Sequence, residues 1–202
     1  MPLTDTSVLK GAAESSEPLN PVKHDRAAFC SGVAALDIYL QRTAAQDASK
    51  GVAVTWVLTS ETAPSEIMGY YSLSAGAVLL SDFPPEVAKK LPKYPVVPTT
   101  LIGRLAVDER HQGKGLGAHL LMDALYRILH TTRVVASAAV VVDAKDEISA
   151  AFFKHHDFRS LPSDPRRLIL PMATVKRAFL PSSPGLDRLK DLASKIASRR
   201  HP

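Results

Sequence analysis

The chain has 202 residues, a length that suits one domain of ordinary size with short extensions. Hydrophobic residues make up 46 %, which excludes a disordered chain; no apolar run reaches the roughly 18–20 residues of a membrane span, and no basic segment leads into an apolar core at the N-terminus as in a secretory signal. The net charge of +5 is uneven: beyond Arg166 the basic residues outnumber Asp187 and Asp191, which suits either a polyanionic partner or a solvated basic tail.

Residues 1–20 are polar and rich in Ser, Glu and Pro, and read as a flexible N-terminal arm. Leu36, Tyr39, Leu40 and Ala44 fall at helical spacing and predict a helix over 33–48. Residues 52–59 form a β-branched run around Trp56, and 67–78 form a second strand with Gly69 and Gly76 as places for a bend or bulge. The turn at 62–65 makes the two a hairpin. Five prolines between 81 and 98 leave room only for a short helix over 86–91. A strand over 99–107 leads into a glycine-rich loop, and a strongly amphipathic helix follows over 117–131. The apolar run 134–142 reads as a strand buried on both faces, 146–155 as a short helix, and 167–170 as a last strand. Residues 181–202 form a basic tail in which Leu186, Leu189, Leu192 and Ile196 are spaced for an amphipathic helix. The order predicts an α/β (α+β) fold, a mixed central sheet flanked by helices, with at least one βαβ crossover.

The loop Gln112-Gly113-Lys114-Gly115-Leu116-Gly117 lies between a strand and a helix start, where free N–H groups and the helix dipole favour an anion. Glycines let phosphate oxygens reach the backbone, and Lys114 and Arg110 add charge. A Walker loop requires Ser or Thr after Gly-Lys, and Gly115 stands there. A dinucleotide fingerprint fits loosely, but polar residues 108–112 intervene after the strand and no acid lies in 134–142 to hold a ribose. The pattern Gln/Arg-x-x-Gly-x-Gly/Ala, which cradles the pyrophosphate of CoA, is met without exception by Gln112, Gly115 and Gly117. Cys30 is the single cysteine, so no internal disulfide forms; this suits a reducing compartment, the cytoplasm, and the residue reads as small and buried. His155 and His156 are adjacent and diverge on a helix, so no metal site is expected.

The run 101–108 followed by 111–117 resembles the central strand and pyrophosphate loop of the GNAT acetyltransferases. Phe29-Cys30-Ser31-Gly32 with residues 36–40, Gly69-Tyr70-Tyr71-Ser72-Leu73, residues 142–147, Ala151-Phe152-Phe153-Lys154-His155-His156-Asp157-Phe158 and Leu168-Ile169-Leu170-Pro171-Met172 resemble the GNAT toxins of bacterial toxin–antitoxin pairs. The likeness spans 21–180, the acetyltransferase domain. It implies a GNAT fold and an acetyl-CoA co-substrate, with no metal. The implied activity is N-acetylation of the α-amino group of aminoacyl-tRNA, which blocks translation. Its implied partners are a ribbon-helix-helix antitoxin and a second copy in a homodimer. It also implies a cofactor site of Leu105, Ala106, Val107, Gln112, Gly113, Lys114, Gly115, Leu116, Gly117 and Phe152. Backbone N–H groups at Leu105 and Val107 would polarise the thioester carbonyl.

The general acid of the family is a tyrosine, and this chain carries Phe153 at its position, so a divergent enzyme or a designed Tyr→Phe change is expected, inactive or weakened. Asp157 stands where a glycine is usual. Arg104 faces the surface or tRNA, Tyr70 lines the acceptor pocket or the core, and Asp143 ends a strand where ligands gather; these three are the substrate-side candidates. A GNAT enzyme of small amines or protein N-termini, and a non-catalytic acetyl-CoA-binding module, are the alternatives.

Overall fold

The computed structural model describes residues 14–179. The tail expected over 181–202 and the first thirteen residues of the expected arm lie outside the described residues.

β-Branched and aromatic runs assemble into one seven-stranded sheet in the order β1-β2-β3-β4-β5-β7-β6. The strands are β1 (Glu14–Pro18), β2 (Val54–Ser60), β3 (Gly69–Leu79), β4 (Val96–Val107), β5 (Ala139–Asp143), β6 (Arg159–Leu161) and β7 (Asp164–Pro171). Every neighbouring pair is antiparallel except β4 and β5, which run parallel and are joined by α4 (Leu116–Thr131). This is the mixed sheet and βαβ crossover that the element order predicts.

The helices cover both faces. On one face α4, α5 (Glu147–His155) and α6 (Met172–Phe179) bury Leu120, Leu121, Leu125, Phe153 and Val175 over β3, β4, β5 and β7. On the other, α1 (Ala34–Ile38), a π turn (Tyr39–Thr43) and α2 (Ala44–Ser49) bury Tyr39, Leu40 and Ala44 against Val57, Tyr70 and Ala106. The short α3 (Pro85–Ala88) closes a third cluster beside β5 and β7, with Phe83 and Val87 over Val141 and Ile169.

The structure corrects three expectations. The arm is not loose throughout: residues 14–18 pair with β2 from Glu14↔Ser60 to Pro18↔Trp56. Ser16 anchors that edge, donating to Asp123 at 2.7 Å and accepting from Arg127 at 2.8 Å. The strand expected over 134–142 begins only at Ala139, because residues 132–138 must carry the chain from the end of α4 back to the sheet; Val134 and Val135 are 86 % and 66 % exposed. The bulge does not fall at Gly69 or Gly76. It falls in β4, where Ser72 pairs Arg104 and Leu73 pairs Ile102, leaving Gly103 as the extra residue. Gly69 serves close approach instead, since a Cβ there would lie 2.7 Å from Leu120 Cδ1 and 3.0 Å from the Ala106 carbonyl oxygen.

Candidate active site

The site starts from what β4 does after its bulge. Its parallel pairing with β5 ends at Ile102↔Val142, while its antiparallel pairing with β3 continues to Val107↔Gly69. Residues 103–107 are therefore paired on one side only. In a strand alternate backbone N–H groups point to opposite sides, so part of this stretch presents N–H donors to the gap between β4 and β5.

The same strand delivers the glycine loop. A 3₁₀ turn (Glu109–His111) leads through Gln112 to Gly113 and Gly115, whose φ values of 73° and 79° are left-handed, where a side chain is disfavoured. No atom lies within 4 Å of a Cβ built at either position. Gly115 is the N-cap of α4 and offers no side-chain cap, so the first N–H groups of α4 face open space with the positive end of the helix dipole. This arrangement suits an anionic group such as a phosphate. Gly117 lies inside the first turn, where a Cβ would be 3.8 Å from the Phe152 ring, an ordinary contact distance.

A polar frame holds the loop. Asp108 is 1 % exposed and accepts from the backbone N–H groups of Cys30 (3.1 Å) and Arg110 (3.1 Å), and from Arg110 Nε (2.7 Å) and Nη2 (3.0 Å). Burial pushes its pKa up, but the Arg110 guanidinium and the two backbone donors outweigh that and hold it at about 2. Gln112 Nε2 donates to the carbonyls of Ser31 (3.1 Å) and Val107 (3.0 Å), and Lys114 Nζ to that of Arg110 (3.0 Å). Ser31 is fixed in turn by Asp37, which accepts from its N–H at 2.8 Å and its hydroxyl at 2.6 Å. The segment before α1 and the phosphate loop are thus one hydrogen-bonded unit. No motif in the sequence marks Asp108 or Asp37 for these roles. Arg110, expected to add positive charge near the loop, pairs with Asp108 and with Glu66 at 3.1 Å. Cys30, expected to be buried, is exposed beside Glu109.

α5 completes the site. Asp146 and Ser149 form a reciprocal capping box at its start. Phe153 is 8 % exposed, between Phe152 (ring centroids 5.2 Å) and Phe158 (5.5 Å), and shares a cluster with Ile102, Val142 and Leu116, which border the β4–β5 gap. Asp157 has φ 67°, the one non-glycine residue with positive φ among the described residues, so it keeps the left-handed turn in which glycine is usual. His156 packs edge-on to Phe152 at 4.9 Å; burial first, then the neighbouring His155 charge, holds it below its ordinary pKa.

The substrate-side candidates separate. Tyr70 is fully buried: its hydroxyl donates to the Leu36 carbonyl at 2.7 Å, its ring packs on Phe29 and Tyr39, and burial pushes its pKa up, so it is a core residue and not a pocket wall. Arg104 is exposed, with its guanidinium 4.0 Å from the Tyr39 ring centre on the α1 face. Asp143 is exposed at the end of β5, 3.4 Å from Arg167.

An open strand edge leading into an uncapped helix end, with donors facing a gap between parallel strands, defines a site for an anionic, phosphate-bearing ligand. The chain belongs to the acetyltransferase (GNAT) family, whose model matches residues 34–158. It is 36 % identical over 152 residues to a tRNA-acetylating toxin of Mycobacterium tuberculosis, covering 75 % of this chain and 89 % of that one. Among solved structures, a tyrosine-to-phenylalanine mutant of KacT matches with TM-score 0.77 at 25 % identity, over 82 % of this chain and 99 % of the other. The fold also matches AtaT complexed with acetyl-methionyl-tRNAfMet, with TM-score 0.77 at 24 % identity over 83 % and 100 %.

The residues present fit acetyl-CoA: the open Cβ positions at Gly113 and Gly115 and the uncapped α4 would hold its pyrophosphate, and the β4–β5 gap would admit the arm that carries the thioester. Bound there, acetyl-CoA supplies an activated acetyl group. Among the described residues no helix is long and apolar enough to cross a membrane.

Proposed function

We propose that this chain is an acetyl-CoA-dependent N-acetyltransferase toxin that acetylates the α-amino group of aminoacyl-tRNA and so stops translation. The observation that carries the reading is the one-sided β4 stretch 103–107 running into the uncapped N-terminus of α4. The M. tuberculosis relative and the AtaT complex, whose names specify tRNA acetylation and an acetylated aminoacyl-tRNA, support the substrate class.

In this reading the backbone donors at Leu105 and Val107 stabilise the developing oxyanion as the neutral amine attacks. Leu105, Ala106, Val107, Gln112, Gly113, Lys114, Gly115, Leu116, Gly117 and Phe152 form the cofactor site. Arg104 and Asp143, both exposed beside the gap, contact the tRNA end. The leaving thiolate needs a proton, and Phe153 has none to give, so the chain is weakened relative to its Phe153→Tyr variant. A ribbon-helix-helix antitoxin neutralises the enzyme, the active species is a homodimer, and the site of action is the cytoplasm.

The reading is tested in cell-free translation with the chain and with Phe153→Tyr. Protein synthesis should fall when Phe153→Tyr and acetyl-CoA are added together and not when either is omitted. Synthesis undisturbed by Phe153→Tyr, with acetyl-CoA still bound, would sink the tRNA reading and favour a small amine or protein N-terminus as acceptor.

A further inference from the structure

The face of the sheet that carries α1 also carries a basic turn that the acetyl-transfer chemistry does not use. Tyr70 packs in the cluster beneath α1 and the π turn, and Val78 in the cluster beneath α3. Both belong to β3 and stand an even number of residues apart, so α1 and α3 cover the same face. Through the Gly103 bulge Leu101 and Arg104 both turn to that face: Leu101 packs on the α3 cluster and Arg104 lies over Tyr39. Leu101 pairs with Val141 of the same cluster, one step before Ile102↔Val142, where the β4–β5 gap opens. The α3 cluster therefore borders the mouth of the gap.

The chain leaves α3 through Lys89, Lys90, Leu91, Pro92, Lys93 and Tyr94. Leu91 packs on the α3 cluster and anchors this turn. Backbone N–H groups fix its path: Lys90 donates to the Val87 carbonyl (3.0 Å), Leu91 to Ala88 (3.1 Å), Tyr94 to Pro92 (2.8 Å) and Leu80 to Pro95 (2.9 Å). Lys89, Lys90 and Lys93 are exposed, and none is in an ion pair among the described residues; Glu86, the acid nearest in sequence, is taken by Arg159 at 3.1 Å. Tyr94 is 69 % exposed, whereas every other Phe, Tyr and Trp among the described residues is buried or half-buried. Single surface lysines are ordinary. An exposed ring on a fixed turn, flanked by unpaired cations, has the make-up of a single-strand nucleic-acid site, where cations track phosphates and a base stacks on the ring. An aminoacyl-tRNA bears its amino acid on an unpaired 3′ strand, so a single strand is what the mouth of the gap has to receive.

We propose, resting on the reading that aminoacyl-tRNA is the acceptor, that the turn 89–94 holds the unpaired 3′ strand beside the gap, with Tyr94 stacked on a base and Lys89, Lys90 and Lys93 against backbone phosphates.

Binding of bulk aminoacylated tRNA to the full chain is measured by filter retention over a range of salt. Tyr94→Ala should weaken binding about tenfold at fixed salt, and Tyr94→Phe should keep it, since the ring and not the hydroxyl stacks. Lys89→Gln with Lys90→Gln and Lys93→Gln should flatten the slope of log affinity against log salt by about 2. Acetyl-CoA binding should be unchanged in each variant, which shows that the fold is intact. Arg133→Gln with Lys176→Gln and Arg177→Gln removes as many exposed cations from the α4 and α6 side and should weaken binding less. Equal loss from the two triple variants would overturn the proposal, because charge anywhere on the surface would then hold the RNA. Full affinity in either Tyr94→Ala or the triple-lysine variant, with the parent chain binding tRNA, would overturn it alone. A parent chain that binds no tRNA would overturn it together with the tRNA reading.

Discussion

The two ends of α4 are built by opposite means. At its N-terminus the contacts are polar: bare glycines, free N–H groups and a loop tied down by Asp108 and Gln112. At its C-terminus the surface is an apolar groove beside Trp56 and Val135. Two carboxylates, each 1 % exposed, brace the helix, one ahead of its N-terminus and one at its middle. Asp108 holds the loop, whereas Asp123 accepts from Tyr71 (2.5 Å), Ser16 (2.7 Å) and Arg127 (3.0 Å) and locks β1 and β3 to the helix. The difference teaches that an anion seat needs a rigid polar frame with empty backbone, while a purely structural carboxylate can be closed on all sides.

The largest effect expected is on turnover. Phe153→Tyr should raise the acetyl-transfer rate about 10²- to 10⁴-fold by restoring a proton donor, with little change in acetyl-CoA affinity. A steady-state assay separates the two, and an equal rate would mean that the acid lies elsewhere.

Next come the two carboxylates. Asp123→Ala and Asp108→Ala should each cost about 2–4 kcal/mol in urea unfolding, because each strips an arginine and other donors of their acceptor. Calorimetric titration should show acetyl-CoA binding lost or greatly weakened only in Asp108→Ala. Equal loss in both would erase the distinction between the loop carboxylate and the helix carboxylate.

Gly115→Ala is a smaller change. The left-handed backbone should make it cost about 1–2 kcal/mol of stability, read as a lower urea midpoint. The methyl group stands in the phosphate seat, so acetyl-CoA binding should weaken about tenfold, equivalent to about 1.4 kcal/mol.

The smallest effect is a pH dependence. His156 has a folded pKa below its ordinary 6.5, through burial and then His155. The fold holds it neutral, so its contribution to stability is complete above 6.5 and is lost as pH falls through the lower folded pKa. His156→Gln should flatten the slope of unfolding free energy between pH 7 and 5. An unaltered slope would place that dependence on other groups.

Much of this was legible in the sequence because the signals are local. The loop pattern of Gln112, Gly115 and Gly117, the apolar row of α4 and the hairpin of β2 and β3 depend on neighbours in the chain. Asp157 in place of the usual glycine puts the local turn in question at the level of sequence, and the structure keeps the left-handed φ there. Other features depend on partners far along the chain. Asp108 and Cys30 meet across 78 positions, and no spacing rule reports that. The π turn at Tyr39–Thr43 escapes a search at a 3.6 period. Val134 and Val135 look like strand by composition, yet sit in the loop that forms one wall of the groove. Tyr70 reads as pocket or, more often for an aromatic residue in a strand, as core, and its hydroxyl reaching the Leu36 carbonyl decides for the core.

The most direct test of the central claim follows the acetyl group itself. Labelled acetyl-CoA is mixed with the chain or its Phe153→Tyr form and with bulk tRNA, either aminoacylated or stripped of its amino acids. Label on the aminoacylated tRNA alone, strong with Phe153→Tyr and weak or absent with the chain, is the result predicted. No label on tRNA from either form, while both bind acetyl-CoA, would contradict it.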